Sequence, residues 1–534
     1  MAEARTVIED AVSDSPLEAP AGTLPRSRSG RAVALLLLGT FLLQSAWIIA
    51  LPPFRGTDEF DHAYRAAAVA HGEWRGKGVP AQHGRGSLVV VPRSLVDAAT
   101  PVCASYLYTG PDNCYPVADA GRGYVTVASA AWSYNPVFYA VIGAASTMSD
   151  GAPSLYAMRV SSALLCAFFV GLAGWATTLW ARTRWPVFAM VLSMTPVMLF
   201  SLAVAAPNGL EMSAALALWC SLLALVRLAP DDPRIRLLIG AATLSGVVLA
   251  PLRLLGPLWL ALIIGTFVVV APAQFTRVLR RHPWHTGMMV GLMTVSTLAA
   301  IWWTKHSTTA SVGPGPEATS EPGHVTLRQI PLWFFQAIAA FPRRMDPAPP
   351  LVYVTIGLVT LALITVGFTA ATRATKLGMT VVFVAAVTIP VVITAVTVAS
   401  AGPLWQGRYG LPFHIGVILL AGAALDRKPP RHRLTGPLVT VAWVCLILGQ
   451  AASVLGVLAN ELSTSPLRDS SEWVRLPAWV LALLVIAGCA CYAASTHLSH
   501  RENRWTGRTR LQPESPARRT TTLPVTRVPL RPPR

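Results

Sequence analysis

The feature that most constrains this chain is a succession of apolar runs, each near twenty residues long, separated by polar connections. At 1.5 Å per residue, about twenty apolar residues cross the ~30 Å hydrocarbon core of a bilayer, and a helix that crosses it needs no polar face. About twelve such segments can be read: 33–51, 156–181, 186–205, 209–228, 236–251, 255–272, 286–304, 350–371, 377–399, 410–425, 435–459 and 474–495. The charge content agrees. Only 13% of the 534 residues are charged, against about 25% in a soluble domain. The expected fold class is therefore an all-α integral membrane protein of about twelve transmembrane helices.

The net charge of +18 follows the loops. Arg182 and Arg184, then Arg227, Arg234 and Arg236, then Arg277, Arg280 and Arg281, then Arg373 and Lys376, then Arg427, Lys428, Arg431 and Arg433 fill alternate connections. Short cytoplasmic loops retain such residues. The alternation predicts both termini in the cytoplasm and places the loops 52–155, 205–209, 305–349 and 400–409 outside. It also accounts for the basic balance without a nucleic-acid partner. The apolar stretch 134–147 is too short to cross. Read as a span it would turn Arg182 and Arg184 outward, so an interfacial or re-entrant helix is expected there. A second amphipathic stretch, 327–341, is rich in Trp and Phe and suits the membrane surface.

This divides the chain into a polar, disordered cytoplasmic tail (1–32), a membrane domain (33–425), a C-terminal pair of spans (426–497) and an Arg-rich disordered tail (498–534) suited to anionic lipid. Cys103 and Cys114 are the only cysteines in the first large loop, and outside the cell a disulfide between them is permitted. The other five read as small buried hydrophobes. No Walker A, GxGxxG, HExxH or CxxC motif occurs, which argues against an ATP-driven pump.

Chemistry is concentrated in few places. Thr57-Asp58-Glu59-Phe60-Asp61-His62-Ala63-Tyr64-Arg65 follows the first span. If 58–72 is helical, Asp58, His62 and Arg65 share a face, offering a carboxylate to take a proton, an imidazole to tune it and a guanidinium for phosphate. The same residues also suit an ordinary helix start, with Thr57 or Asp58 as N-cap and an Asp61–Arg65 pair. Glu211, just inside a span, is either a functional acid or the far half of a capping box begun at Asn208. Arg253, at the end of another span, either binds an anionic headgroup or snorkels to the interface. The turn 403–412 (PLWQGRYGLP) sets Gln406, Arg408 and Tyr409 at the mouth of a span, where Arg can grip phosphate. Arg343 and Arg344 lie beside Asp346. Arg253, Arg343, Arg344 and Arg408 all fall on the side where the charge rule disfavours Arg, so that face is expected to handle an anion.

The combination of TDEFDHAYR, SYNPVFYA and WQGRYGLP, with Arg159 at the head of the second span, resembles a bacterial family of predicted membrane proteins with no assigned function (domain-of-unknown-function family 2142). Through it, the chain looks like the GT-C superfamily of polyprenyl-phosphate-sugar-dependent glycosyltransferases. The likeness covers roughly 33–425. It implies a GT-C-like membrane domain that moves a sugar from a polyprenyl-phosphate donor to an envelope glycan, lipid or protein acceptor on the outer face. Asp58 would be the catalytic acid, acting as general base or holding a divalent cation. Glu59 is its substitute and Glu211 a second acid, while Arg408 and Tyr409 would contact lipid phosphate. The segment FPRRMDPAPP departs from the family pattern and leaves Asp346 without a role. Two other functions remain open: a transporter or flippase of lipid-linked sugars, disfavoured by span interiors nearly free of ionisable groups, and a non-enzymatic envelope protein using loop 52–155 as a binding module.

Overall fold

The computed structural model describes residues 26–75, 78–307, 322–343, 346–401, 405–429 and 435–499. Arg344 and most of both expected tails lie outside the described residues. Helix α1 (Arg26–Ala50) begins earlier than the apolar run. Its first turns extend into 26–32, expected as disordered, because Ser29 hydrogen-bonds Thr178 of a neighbouring helix (2.9 Å).

The first loop is a folded layer of its own, made of α2 (Glu59–Ala70), β1 (Ser87–Pro92), α3 (Arg93–Cys103), α4 (Pro111–Cys114), β2 (Ala118–Gly121), β3 (Tyr124–Ser129) and α5 (Pro136–Ser146). Sequence patterning predicts only interfacial helices here, and α5 is the short apolar one expected. The three-stranded antiparallel sheet, in the order β1–β3–β2, is an addition. Val89 pairs with Val127 and Val91 with Val125, and all four are buried, which is the period of two of a half-covered sheet. Strands of four to six residues carry too little apolar signal to stand out beside spans of about twenty.

Cys103 and Cys114 are joined, with their Cα atoms 5.4 Å apart, tying the end of α3 to α4. Replacing both by Ser is expected to destabilise the loop by about 3 kcal/mol. The check is a lower Tm for the variant than for oxidised wild type, with the difference abolished by reductant.

The rest of the bundle, beside α1, consists of α6 (Ala152–Trp180), α7 (Trp185–Ser193), α8 (Pro196–Ser201), α9 (Pro207–Arg227), α10 (Ile235–Leu252), α11 (Gly256–Val270), α12 (Pro272–Arg281), α13 (Pro283–Ser307), α14 (Pro322–Ile338), α15 (Pro350–Ala370), α16 (Arg373–Ala401), α17 (Leu411–Arg427), α18 (Thr435–Thr464) and α19 (Ala478–Leu498). Among the described residues, ten helices are long and apolar enough to cross a membrane. The other two expected segments are helical but modified. Segment 186–205 breaks ahead of Pro196 into α7 and α8, as a proline without an N–H requires. Segment 255–272 becomes α11 and then turns by 108° into the basic α12. Helix α14 takes up most of the expected 327–341 stretch and ends at Ile338.

Contacts knit the two ends of the bundle separately. At one end Arg281 pairs with Asp231 (2.7 Å), Arg227 donates to the Ala423 carbonyl, and Asp426 accepts from the backbone N–H groups of Arg182 and Thr183. At the other, the folded loop is tied to later spans by Arg55–Glu461 (2.7 Å) and by Trp303 donating to the Ser133 carbonyl, while Trp473, ahead of α19, donates to the Ile49 carbonyl of α1. The pair α18–α19 belongs to the same compact unit as the other described helices. Thr40 of α1 hydrogen-bonds Tyr492 of α19 (3.0 Å), and a Cβ on Gly39 would lie 2.7 Å from the Gly488 carbonyl oxygen. Small residues let the two backbones approach this closely.

Candidate functional site

The segment between α1 and α2 is held in an unfavourable backbone conformation. Phe54 (φ 61°) and Asp58 (φ 55°) both sit in the left-handed region, which is uncommon outside glycine and an outlier for a bulky residue. Such residues cost on the order of 1–3 kcal/mol each and persist only where the surroundings over-determine them. The surroundings here are Glu59 and Arg159. Arg159 of α6 grips Glu59 through two bonds (Nε–Oε1 2.8 Å, Nη2–Oε2 2.6 Å) and donates further to the carbonyls of Ile48, Leu51 and Pro52. Glu59 also accepts from the backbone N–H groups of Gly56 and Ala205. Both side chains are fully buried. Glu59 is thus committed to the framework, beside Asp58.

Asp58 is the partly exposed N-cap of α2 and lies close enough to Tyr106 and Tyr134 to act electrostatically on both phenols. Burial raises the pKa of each phenol, with the Asp58 charge adding to the rise, so both stay protonated. Thr57 donates to the Pro342 carbonyl (2.8 Å) and accepts from Arg408 Nη1 (2.9 Å). The QGRY turn therefore touches the TDEF motif directly. Gly407 makes this possible. A Cβ there would lie 1.9 Å from the Trp333 carbonyl oxygen, while its N–H donates to Gln336 Oε1 (2.9 Å). Gly407→Ala is expected to push α14 off the turn at a cost of about 1–3 kcal/mol, measurable as a lower Tm and faster proteolysis of the 322–343 segment.

The expected face of Asp58, His62 and Arg65 forms, but its members are spent differently. His62 hydrogen-bonds the Tyr139 hydroxyl through Nδ1 (2.8 Å). Arg65, fully buried, donates to the carbonyls of Glu73, Trp74 and Tyr134. The guanidinium expected at phosphate is a cross-link of the loop framework instead, because three carbonyls left over by strand and turn geometry need donors.

A second cluster lies beside the first. The N-cap of α9 is Ala206 and makes no side-chain cap, so Glu211 does not close a capping box. Its carboxylate lies 3.8 Å from Arg253 Nη1, with both side chains largely buried. Arg253 does not snorkel either. It packs 4.4 Å from the centre of the Tyr409 ring, and Arg408 lies 5.5 Å from the same ring. A cavity of about 600 Å³ opens here, lined by Glu211, Arg253, Tyr409, Tyr134 and Lys305 together with Trp259, Trp405 and apolar side chains such as Ile301 and Ile393. Those last two come from α13 and α16, which bury little of their surface in the protein. Gln406 is buried beside it with Oε1 unpartnered. Arg343 is not in the lining; it pairs with Asp346 (2.8 Å) on the surface.

No group of three or more His, Cys, Asp or Glu side chains arranged for a metal occurs among the described residues. The nearest acid to Asp58 in sequence, Glu59, is taken by Arg159. Glu59 is therefore not available as a second carboxylate ligand beside Asp58. Several participants carry weak sequence signals. Arg159 is a charge inside an apolar run, and such a residue needs a partner. Lys305, Trp259 and Trp405 look like ordinary interfacial residues, and Arg55 and Glu461 are too far apart in the chain for any local pattern to join them.

No curated protein matches the chain. Among solved structures it is similar to "ArnT from Cupriavidus metallidurans bound to Undecaprenyl phosphate", at 15% identity and a TM-score of 0.41, over 89% of this chain and 77% of that one. Residues 41–417, a span that includes both the TDEF and QGRY motifs and the cavity between α9 and α16, match the family described as "Predicted membrane protein (DUF2142)", and the chain belongs to that family.

Proposed function

We propose that this protein is a membrane glycosyltransferase that takes a sugar from a polyprenyl-phosphate donor on the outer face and passes it to an envelope glycan, lipid or protein. The observation that carries this reading is the cavity. It joins an acid, Glu211, to cations, Arg253 and Lys305, and one of its walls is built from helices that face lipid. A lipid-linked donor needs that combination: an apolar approach for its chain and cations for the phosphate as it leaves. The charge rule turns the folded loop, and hence the cavity, outward.

In this reading the acceptor hydroxyl attacks the anomeric carbon. Its proton passes to a carboxylate, the bond from that carbon to the phosphate oxygen breaks, and polyprenyl phosphate departs as an anion beside Arg253 and Lys305. Asp58 is the carboxylate best suited to the proton, since it is partly exposed whereas Glu59 is fully buried. Arg408 fixes Thr57 and the Tyr409 ring, and Arg159 with Glu59 holds the strained turn. Burial of ionisable side chains at the loop end, as in Glu59, Arg159, Glu211 and Glu461, disfavours an ion-coupled transporter, which places such groups at the midplane.

The test is reconstitution into vesicles with labelled polyprenyl-phosphate sugars and an envelope extract as acceptor. Label moving to the acceptor, with release of polyprenyl phosphate, is the expected result. Label that crosses the bilayer still attached to its lipid would make the protein a flippase, and no movement at all would favour a non-enzymatic role.

A further inference from the structure

Among the described residues that line the cavity, the charged side chains are Glu211, Arg253 and Lys305. The contact between the first two differs from the buried pair in the nearby turn. Arg159 meets Glu59 in two hydrogen bonds of 2.8 and 2.6 Å, with both side chains fully buried. Arg253 Nη1 stands 3.8 Å from Glu211 Oε2, beyond hydrogen-bond reach. Its side chain is 16% exposed and that of Glu211 only 2%, so the accessible surface belongs to the cation. Lys305 is exposed in the last turn of α13. Glu211 thus offsets the charge of Arg253 without occupying its N–H groups. In a site for phosphate, an acid so placed weakens binding.

The charge on the phosphate changes during transfer. In the donor the phosphate is a diester with one negative charge. The acceptor proton goes to Asp58, and the bond from the anomeric carbon breaks with its electron pair left on the phosphate oxygen. The released polyprenyl phosphate is a monoester, doubly negative above its second pKa of about 6. Coulomb energy is proportional to the charge of the ligand, so two uncompensated cations would hold this product far more tightly than the donor. Release of product limits turnover in many enzymes. One carboxylate beside Arg253 halves the net positive charge of the lining. We infer that Glu211 is a positioning residue that limits the hold of Arg253 on phosphate, so that the singly charged donor binds and the doubly charged product leaves. This rests on the donor class proposed above and deepens it. Glu211 here takes no proton from the acceptor and acts through Arg253.

The experiment is equilibrium binding to the full-length protein in nanodiscs at about pH 8, where a phosphate monoester is a dianion. The probes share one chain and differ in charge: undecaprenol is neutral, undecaprenyl methyl phosphate singly negative and undecaprenyl phosphate doubly negative. A unit charge at the distance of a neighbouring side chain is worth roughly tenfold in affinity for each charge on the ligand. Glu211→Gln should therefore leave undecaprenol within about twofold, tighten the methyl phosphate about tenfold and tighten the phosphate about a hundredfold. Glu211→Asp keeps the charge and should stay within about threefold of wild type for all three. In transfer, Glu211→Gln should complete its first turnover as fast as wild type and slow about tenfold in later ones, giving a burst. The same shift of all three probes, or none, would overturn the inference. So would a slower first turnover, which would put Glu211 in the bond-breaking step. Should Glu211→Gln not fold, wild type alone decides. Undecaprenyl phosphate held within about tenfold of the methyl phosphate supports the tempered site, and a wider gap overturns it. Wild type that binds neither phosphate probe more tightly than undecaprenol would overturn the lipid-phosphate reading as well.

Discussion

Asp58→Asn should yield a folded protein whose sugar transfer falls by at least a hundredfold. General-base assistance contributes about 10²–10⁴ in rate, and an amide cannot take the proton. The substitution is otherwise mild. Asn caps helices as well as Asp does, and it tolerates the left-handed conformation that position 58 adopts. The expected signature is therefore an unchanged Tm and unchanged donor binding with a collapsed single-turnover rate. Transfer within threefold of wild type would show that Asp58 is not the base, and the acid would have to be sought at Glu211.

Arg159→Ala has the largest expected effect on stability. It leaves the Glu59 carboxylate fully buried without its cation and strips donors from three carbonyls of the turn. Breaking one side of a buried ion pair typically costs about 3–5 kcal/mol, a large share of what a folded domain has in hand. Most of the variant should fail to appear as a monodisperse species after detergent extraction. Arg159→Met combined with Glu59→Leu removes both charges and should recover much of the folded yield, because it is the unpaired charge that is costly. The recovered protein should still transfer poorly, since the strained turn carrying Asp58 loses its grip. A double variant as unstable as Arg159→Ala would show that the carbonyl bonds matter more than the charge.

The membrane architecture was legible in the sequence because crossing a bilayer imposes one length and one polarity on every span. The alternation of basic loops predicts a sidedness on top of that. The structure brings Arg408 to Thr57, next to Asp58, and gathers Tyr409, Arg253 and Glu211 at the same end, the grouping which that pattern predicts. What escaped were features decided by contacts between distant segments. Whether His62 and Arg65 serve a ligand or the framework depends on which carbonyls lie nearby, and no spacing rule reports that. Glu59 and Asp58 are adjacent acids in the sequence, yet a partner a hundred residues away, Arg159, separates their fates. The sheet and the cavity indoles were hidden for the same reason: Val and Trp look alike in a strand, a span or an interface.

The clasp between α1 and α19 bears on how the molecule is made. Helix α1 leaves the ribosome first among the described spans and α19 last. Until Ala478 and beyond are synthesised, the Thr40 hydroxyl lacks Tyr492 and Ser495 has not reached the Ala32 carbonyl. The groove left by Gly39 faces lipid in the meantime. A nascent chain halted after α18 is thus an open bundle with its seam along the first helix, and insertion of α19 is what seals it.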